Sequence, residues 1–416
     1  MTVTKVDTLI IGGGQAGLAM SAHLKKQGMA HLVVERSRIA ESWRTRRWDS
    51  LVANGPAWHD RFPDRTFDDI DPDGFATKDQ VAAYFEAFAK QIDAPIRTGV
   101  EVEGLSHDAG SGLFKALLPG ETIEARNVVV ATGPFQRPSV PAIMGDVASV
   151  TQIHSNDYRN PAQLPDGAIL VIGAGSSGVQ IADEIARAGR RVFLSVGPHS
   201  RPPRRYRGKD FCWWLGALGH WNATEVTPGN EHVTIAVSGA RGGHTVDFRD
   251  LAGRGITLLG RALAGDSGVM RFAPDLADNI NRGDADYLSV LDQADAYVAQ
   301  HALDFPEEPQ ARVIAADPGC MTHPILALDL AAEGISAIVW ATGFAFDFGW
   351  LGLDALDERG VPVHDRGVSP VPGLYFLGLP WLTCRGSAFI WGAWQDAERH
   401  AAHIAARSLH SVDATA

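Results

Sequence analysis

The chain has 416 residues, enough for two or three domains, with ordinary apolar and charged fractions and a formal charge of −12. That charge argues against a general nucleic-acid binder, and no apolar run reaches the ~20 residues needed to span a bilayer. Its three cysteines, Cys212, Cys320 and Cys384, form neither a C-x-x-C motif nor a metal-ligand spacing, so reduced thiols and a cytoplasmic location are expected.

From Thr8 to Glu35 the chain reads as one βαβ unit. Leu9, Ile10 and Ile11 suit a buried parallel strand. Gly12, Gly14 and Gly17 follow as G-x-G-x-x-G, then a helix to about Gly28 and a strand from His31 into Glu35. One glycine makes the tight turn, one lets the backbone approach a pyrophosphate, and one lets helix and strand pack closely. Free N–H groups at the helix start face an anion, and the carboxylate of Glu35 can accept from a ribose. The next segment, from Arg36 to Asp64, is rich in arginine and tryptophan and without period, which predicts an ordered loop over a ligand. Trp43, Trp48 and Trp58 either stack on a planar ring or fill core, and Asn54-Gly55-Pro56 marks a turn.

Thr77 with Gln80 predicts a capping box for a helix to Lys90, whose apolar face is Val81, Tyr84, Phe85 and Phe88. A strand over 96–102 should lead into a meander through 113–118 and 122–124. NVVVATG, over 127–133, is a buried strand ending in a tight turn at Ala131, Thr132 and Gly133. A second βαβ unit then opens at Ala168: Gly173, Gly175 and Gly178 repeat the spacing, with Ser176 and Ser177 between them, and the second strand ends near Val196 without an acid. A missing carboxylate followed by Arg204 and Arg205 suits a ribose bearing a 2′-phosphate. The first loop therefore reads as an FAD site and the second as an NADPH site.

Beyond Gly197 the pattern weakens. FCWWLGALGHW, over 211–221, reads as a short buried helix that walls a pocket or meets a second copy in a homodimer. Strands are expected over 233–237 and 255–259, and separate helices over 273–282 and 287–301. ISAIVWATG, ending at Ala341, Thr342 and Gly343, copies the earlier VVVATG; LYFLG ends at Gly378; a last helix runs over 387–408. The helix start carries partial positive charge suited to a reduced, anionic flavin. The expected fold is α/β with two dinucleotide-binding, Rossmann-like domains, the NADPH domain inserted into the FAD domain: 1–160 and 326–416 for FAD, 161–325 for NADPH. The FAD-site candidates include Gln15, Ala16, Arg36, Trp43 and Val102.

Two such cofactors imply hydride transfer from nicotinamide to flavin. A disulfide acceptor would need paired cysteines. Dioxygen is the simplest acceptor: reduced flavin adds O2 at C4a, and the peroxide passes one oxygen to a small substrate while the protein excludes water. An oxidase or reductase feeding a quinone or protein stays open, as does a redox sensor without turnover. The paired GGGQAG and GAGSSG loops, ATG at Ala131–Gly133, HSNDY at His154–Tyr158 and ATGF at Ala341–Phe344 resemble the flavin-containing monooxygenase family over nearly the whole chain, least over 210–320. Tyr158, where Baeyer–Villiger relatives tend to carry tryptophan, implies the heteroatom-oxygenating or plant-auxin-type branch. The upstream phenylalanine and glycine of the family fingerprint would fall at Ala148 and Val150 and are missing. SLVANGP resembles the family segment whose asparagine contacts the flavin peroxide and the nicotinamide, which implies a catalytic role for Asn54.

Overall fold

The computed structural model describes residues 2–143, 150–225 and 235–413. Two sheets organise it. The first has seven strands: β1 (Thr2–Ile11), β2 (His31–Glu35), β3 (Ile96–Thr98), β4 (Gly104–Asp108), β5 (Leu113–Leu118), β6 (Glu121–Val130) and, after the second sheet has been built, the strand Leu374–Phe376. The order is β3-β2-β1-β6-β5-β4, and Leu374–Phe376 adds in parallel to the last residues of β6. β1, β2, β3 and β6 run parallel, whereas β4 and β5 form an antiparallel meander on β6. β3 is thus a strand of the parallel layer, shorter than the sequence suggests, and the two strands expected over 122–124 and 127–130 are one. Leu9, Ile10, Val33, Val128 and Val129 are fully buried, each contributing about 1.5–3 kcal/mol of hydrophobic stabilisation.

Helix α1 (Gln15–Lys26) covers one face of this sheet, and α2 (Lys78–Gln91) packs beside it. Thr77 caps α2 in the expected box: its hydroxyl accepts from Gln80 N–H, and the Gln80 side chain accepts from Thr77 N–H.

The second sheet is all parallel, with β7 (Thr151–His154), β8 (Ala168–Ile172), β9 (Val192–Ser195), β10 (Thr257–Leu259) and β11 (Ile335–Trp340) in the order β10-β9-β8-β11-β7. Sheet membership departs from the expected boundaries in two places. Thr151–His154 lies before 161 and Ile335–Trp340 after 325, yet both are strands of the second sheet. The reason is pairing: β11 sits between β8 and β7 with every residue from Ile338 to Trp340 in register with both. A buried parallel strand needs hydrogen-bonding neighbours on both sides, and these lie 160–190 residues upstream, outside any local pattern.

Helix α3 (Ser176–Arg187) follows β8, α4 (Phe211–Ala217) lies in the segment after β9, α5 (Leu276–Gln300) follows β10, and α6 (Ile390–Asp413) closes the first lobe against α1. α5 is one helix where two were expected. Gly283 lowers helix propensity, but an added Cβ there would lie 2.5 Å from His199 Nε2. The next residue, Asp284, accepts from both Arg201 and Arg249, so tertiary contacts carry the helix through. The strand expected over 233–237 lies partly outside the described residues; Ile235 makes an isolated bridge to Ser200. Among the described residues no helix is long and apolar enough to cross a membrane.

Candidate active site

Both glycine loops leave the carboxyl ends of central parallel strands and are built alike. Gly12 has φ +115, and a Cβ on it would lie 2.5 Å from Ala131 O; Gly173 has φ +111, and a Cβ would lie 2.4 Å from Ala341 O. One turn later, a Cβ on Gly17 would lie 1.9 Å from Gly12 O, and one on Gly178 1.8 Å from Gly173 O. Only hydrogen at these positions lets each helix start so close to its strand. Ala341–Gly343 therefore closes on the second glycine loop, as Ala131–Gly133 closes on the first. Gly14 and Gly175 are the N-caps of α1 and α3, and neither helix has a side-chain cap. The first-turn N–H groups, with the positive end of the dipole, are left for an anion. A Cβ on Gly14 would meet nothing within 4 Å, so open space lies in front of that backbone.

That space is a cleft of about 510 Å³. Gly12, Gly14, Gln15, Ala16, Glu35, Arg36, Trp43, Val102, Ala131, Thr132, Gly133 and Gly378 all line it, so twelve residues separated by up to 366 positions converge on one cavity. The carboxylate of Glu35 is held at its edge by two backbone donors, Gly13 N–H (2.7 Å) and Ser37 N–H (2.8 Å), and each oxygen keeps acceptor capacity for a ribose. Gln15 Nε2 donates to Ala388 O (2.8 Å), which ties α1 to the turn before α6. Arg46 and Arg47 also line the cleft, although they were not among the expected site residues. Burial, with Arg46 beside it, pushes the Arg47 guanidinium down to about 10; burial, with Arg36 nearby, lowers Arg46 as well. Two crowded, partly desolvated cations beside an uncapped helix favour a diphosphate. The signal in the sequence was the run Arg44 to Arg47 inside an aperiodic loop.

Asn54 lies where the two lobes meet. Its Oδ1 accepts from Gln180 Nε2 on α3 (3.0 Å), and its backbone carbonyl accepts from Arg204 Nη1 (2.6 Å). Gln180 Nε2 also donates to Val237 O (2.9 Å). With Oδ1 engaged, the Nδ2–H2 group of Asn54 remains to donate to a ligand. Gln180 could not be nominated from its own neighbourhood, where it reads as an ordinary helix residue.

Arg204 corrects an expectation. It is 2% exposed and not open to a 2′-phosphate. Its Nε donates to Asp210 Oδ2 (2.9 Å), and the guanidinium lies between the rings of Phe75 (4.6 Å) and Phe211 (4.5 Å). A buried guanidinium takes the nearest carboxylate, and Asp210 is six residues away. Arg205 is exposed on a two-residue strand. Ser176 is likewise engaged, its hydroxyl donating to Ile235 O (2.8 Å); Ser177 stands beside it in the first turn of α3.

The HSNDY segment holds the second loop in place. His154 Nδ1 accepts from Asn156 N–H (3.1 Å), so Nε2 carries the proton and donates to Gly343 O (3.0 Å). Burial keeps this imidazole neutral by lowering its pKa. Tyr158 is fully buried and donates to Glu184 Oε2 (2.8 Å), while Ser50 from the first lobe donates to Glu184 Oε1 (2.7 Å). The FCWWLGALGHW segment is partly taken up inside the chain: Trp214 is fully buried against Tyr297 and Phe305 and Trp221 is buried against Trp391, while Gly216 and Gly219 stay exposed. All three cysteines are free, and burial pushes the Cys212 thiol well up.

Residues 9–209 match the family of pyridine nucleotide-disulphide oxidoreductases. An oxidoreductase of Geobacillus kaustophilus named CzcO-like is 34% identical over 397 residues, 94% of this chain and 96% of that protein. The indole-3-pyruvate monooxygenase YUCCA1 of Oryza sativa is 34% identical over 191 residues, which cover 45% of this chain and 47% of that enzyme. A flavin-containing monooxygenase from Stenotrophomonas maltophilia overlays with a TM-score of 0.66 at 19% identity, covering 97% of this chain and 99% of that one, a likeness of fold.

Proposed function

Because the chain belongs to the flavin-monooxygenase-like oxidoreductases of the CzcO-like family, we propose that it is an FAD-dependent monooxygenase that consumes NADPH and transfers one oxygen atom of O2 to a small, fairly apolar substrate. One observation carries this reading. Two uncapped helix starts, each behind a glycine loop with two positions that tolerate no Cβ, stand at the carboxyl ends of parallel strands in two sheets, and Asn54 bridges from one lobe to the α3 helix of the other.

The residues present fit both nucleotides. The N–H groups at the start of α1, with Arg46 and Arg47, would hold the FAD diphosphate, and Glu35 its ribose. The start of α3 would hold the NADPH diphosphate. The second strand of that βαβ unit leads into Val196 and Gly197 without an acidic residue, and Arg205, eight residues further along the chain, is an exposed basic group. Flavin and nicotinamide, when bound, supply the electron transfer and the activation of dioxygen. The protein's part is to orient and to exclude water. Asn54 Nδ2–H2 would donate a hydrogen bond to a ligand where the two lobes meet, and the Gln180 and Arg204 bonds keep that donor from turning away. The family match to disulphide oxidoreductases is not accompanied by a C-x-x-C motif, the three cysteines being widely separated in the sequence. Oxygenation of a nitrogen, a sulfur or a carbonyl compound fits the reading; the name of the Oryza sativa relative points to a carbonyl substrate.

Labelled dioxygen tests this reading. Purified protein with FAD, NADPH and a panel of amines, sulfides and ketones should give product carrying one labelled atom, with NADPH consumed in equal amount. NADPH consumption that yields only hydrogen peroxide, or that requires a quinone, would refute it.

A further inference from the structure

The loop that carries Asn54 also carries His59 and Asp60. His59 Nδ1 lies 2.8 Å from Asp60 Oδ1, and Asp60 Oδ2 accepts from Gly55 N–H (3.0 Å). A Cβ on residue 55 would lie 2.4 Å from Asp60 Oδ1, so glycine there lets the carboxylate reach the backbone beside Asn54. A carboxylate only accepts, so Nδ1 carries a proton, and in the neutral ring Nε2 is left with its lone pair. His59 is 9% exposed, and Nε2 is buried with no protein partner.

Its surroundings are aromatic. Ring centroids lie at 5.5 Å for Trp58, 5.3 Å for Trp221 and 5.8 Å for Trp391, and Trp221 in turn meets Phe389 at 5.0 Å. Trp391 Nε1–H is a second buried polar group without a protein partner. Phe389 follows Ala388, which lines the 510 Å³ cleft, and Trp391 comes two residues later. One buried acceptor and one buried donor thus share an aromatic cluster that is tied through Asp60 and Gly55 to the Asn54 loop. Leaving either unmet is unfavourable, so each calls for a hydrogen-bonding partner from outside the protein.

We propose that this cluster is the substrate-recognition subsite, and that it takes an aromatic ring bearing a hydroxyl group. The hydroxyl would donate to His59 Nε2 and accept from Trp391 Nε1–H, while the ring packs edge-to-face against Trp221 and Phe389. A hydroxyl is matched to this pair because it both donates and accepts. Asp60 holds the tautomer and joins the subsite to the Asn54 turn through Gly55. The inference rests on the monooxygenase reading of the cleft and names the substrate class for it.

The test is calorimetric titration of the FAD-loaded protein with 4-(methylthio)phenol and with thioanisole, which differ only in the hydroxyl. Two hydrogen bonds to buried partners should make the phenol bind roughly tenfold tighter. His59→Phe and Trp391→Phe should each reduce that preference to about threefold or less, with thioanisole affinity little changed. Equal affinity for the two probes in the unmodified protein, or an unchanged preference in whichever variants fold, would overturn the proposal. A phenol preference that depends on His59, without incorporation of labelled oxygen, would sink the monooxygenase reading and leave the subsite standing.

Discussion

Arg204 is the residue whose removal tests most of this structure. Its guanidinium is 2% exposed, pairs with an equally buried Asp210 and holds the carbonyl of Asn54. Arg204→Met leaves a carboxylate buried without its cation, a change that typically costs about 3–5 kcal/mol. At about 2–4 °C per kcal/mol for a lobe of 150–250 residues, Tm should fall by roughly 6–20 °C. Asp210 also caps α4, with Oδ1 accepting from Cys212 N–H (2.9 Å), so Asp210→Asn removes the charge while keeping an acceptor. The double variant Arg204→Met/Asp210→Asn should therefore be more stable than Arg204→Met alone, by at least about 1 kcal/mol, the cost of the stranded charge. Arg205→Ala, at an exposed position, should stay within about 0.5 kcal/mol of the parent. The assay is thermal and urea unfolding followed by circular dichroism, with NADPH and NADH Michaelis constants measured on each variant. Arg204→Met as stable as the parent, or a double variant worse than the single, would refute the buried-pair reasoning. A selective rise in the NADPH constant for Arg204→Met at unchanged stability would restore the 2′-phosphate role.

Gly12→Ala forces a methyl to 2.5 Å from Ala131 O at φ +115 and should abolish folded, flavin-bearing protein, whereas Gly14→Ala meets no atom and should fold yet retain less FAD after gel filtration; full flavin retention by Gly14→Ala would contradict the backbone-approach argument. Asn54→Ala should keep both nucleotides bound but divert roughly tenfold more of the consumed NADPH to hydrogen peroxide, a loss of about 1.4 kcal/mol read as a peroxide-to-product ratio. His400 is fully buried, donates from Nε2 to Phe376 O (2.9 Å), and has its pKa lowered by burial. The unfolded chain then binds a proton that the folded one refuses, so stability is whole above about pH 6.5 and falls as pH drops below it. His400→Gln should flatten that part of the Tm–pH curve, and an unchanged slope would assign the acid sensitivity elsewhere.

Both glycine loops, both ATG turns, the capping box at Thr77 and twelve of the residues lining the large cleft are legible in the sequence. They are local devices. A glycine that must hold φ above +100 beside a carbonyl, or a threonine three residues before a glutamine, states its requirement within one turn of chain. The partners were not legible. Nothing near Ile335 says that its strand pairs with β7 and β8 instead of extending the first sheet, and nothing near Gly283 says that Arg201 and Arg249 will hold a helix through it. Arg204 reads as a phosphate ligand until Asp210 and two phenylalanine rings enclose it. The sequence by itself determined the two βαβ units, and with them the chemistry they invite. Only the tertiary structure decided which strands share a sheet, which charges cancel, and that Gln180 and Arg204 together anchor Asn54, because those choices rest on contacts in space, from six to more than a hundred positions apart, that no local period encodes.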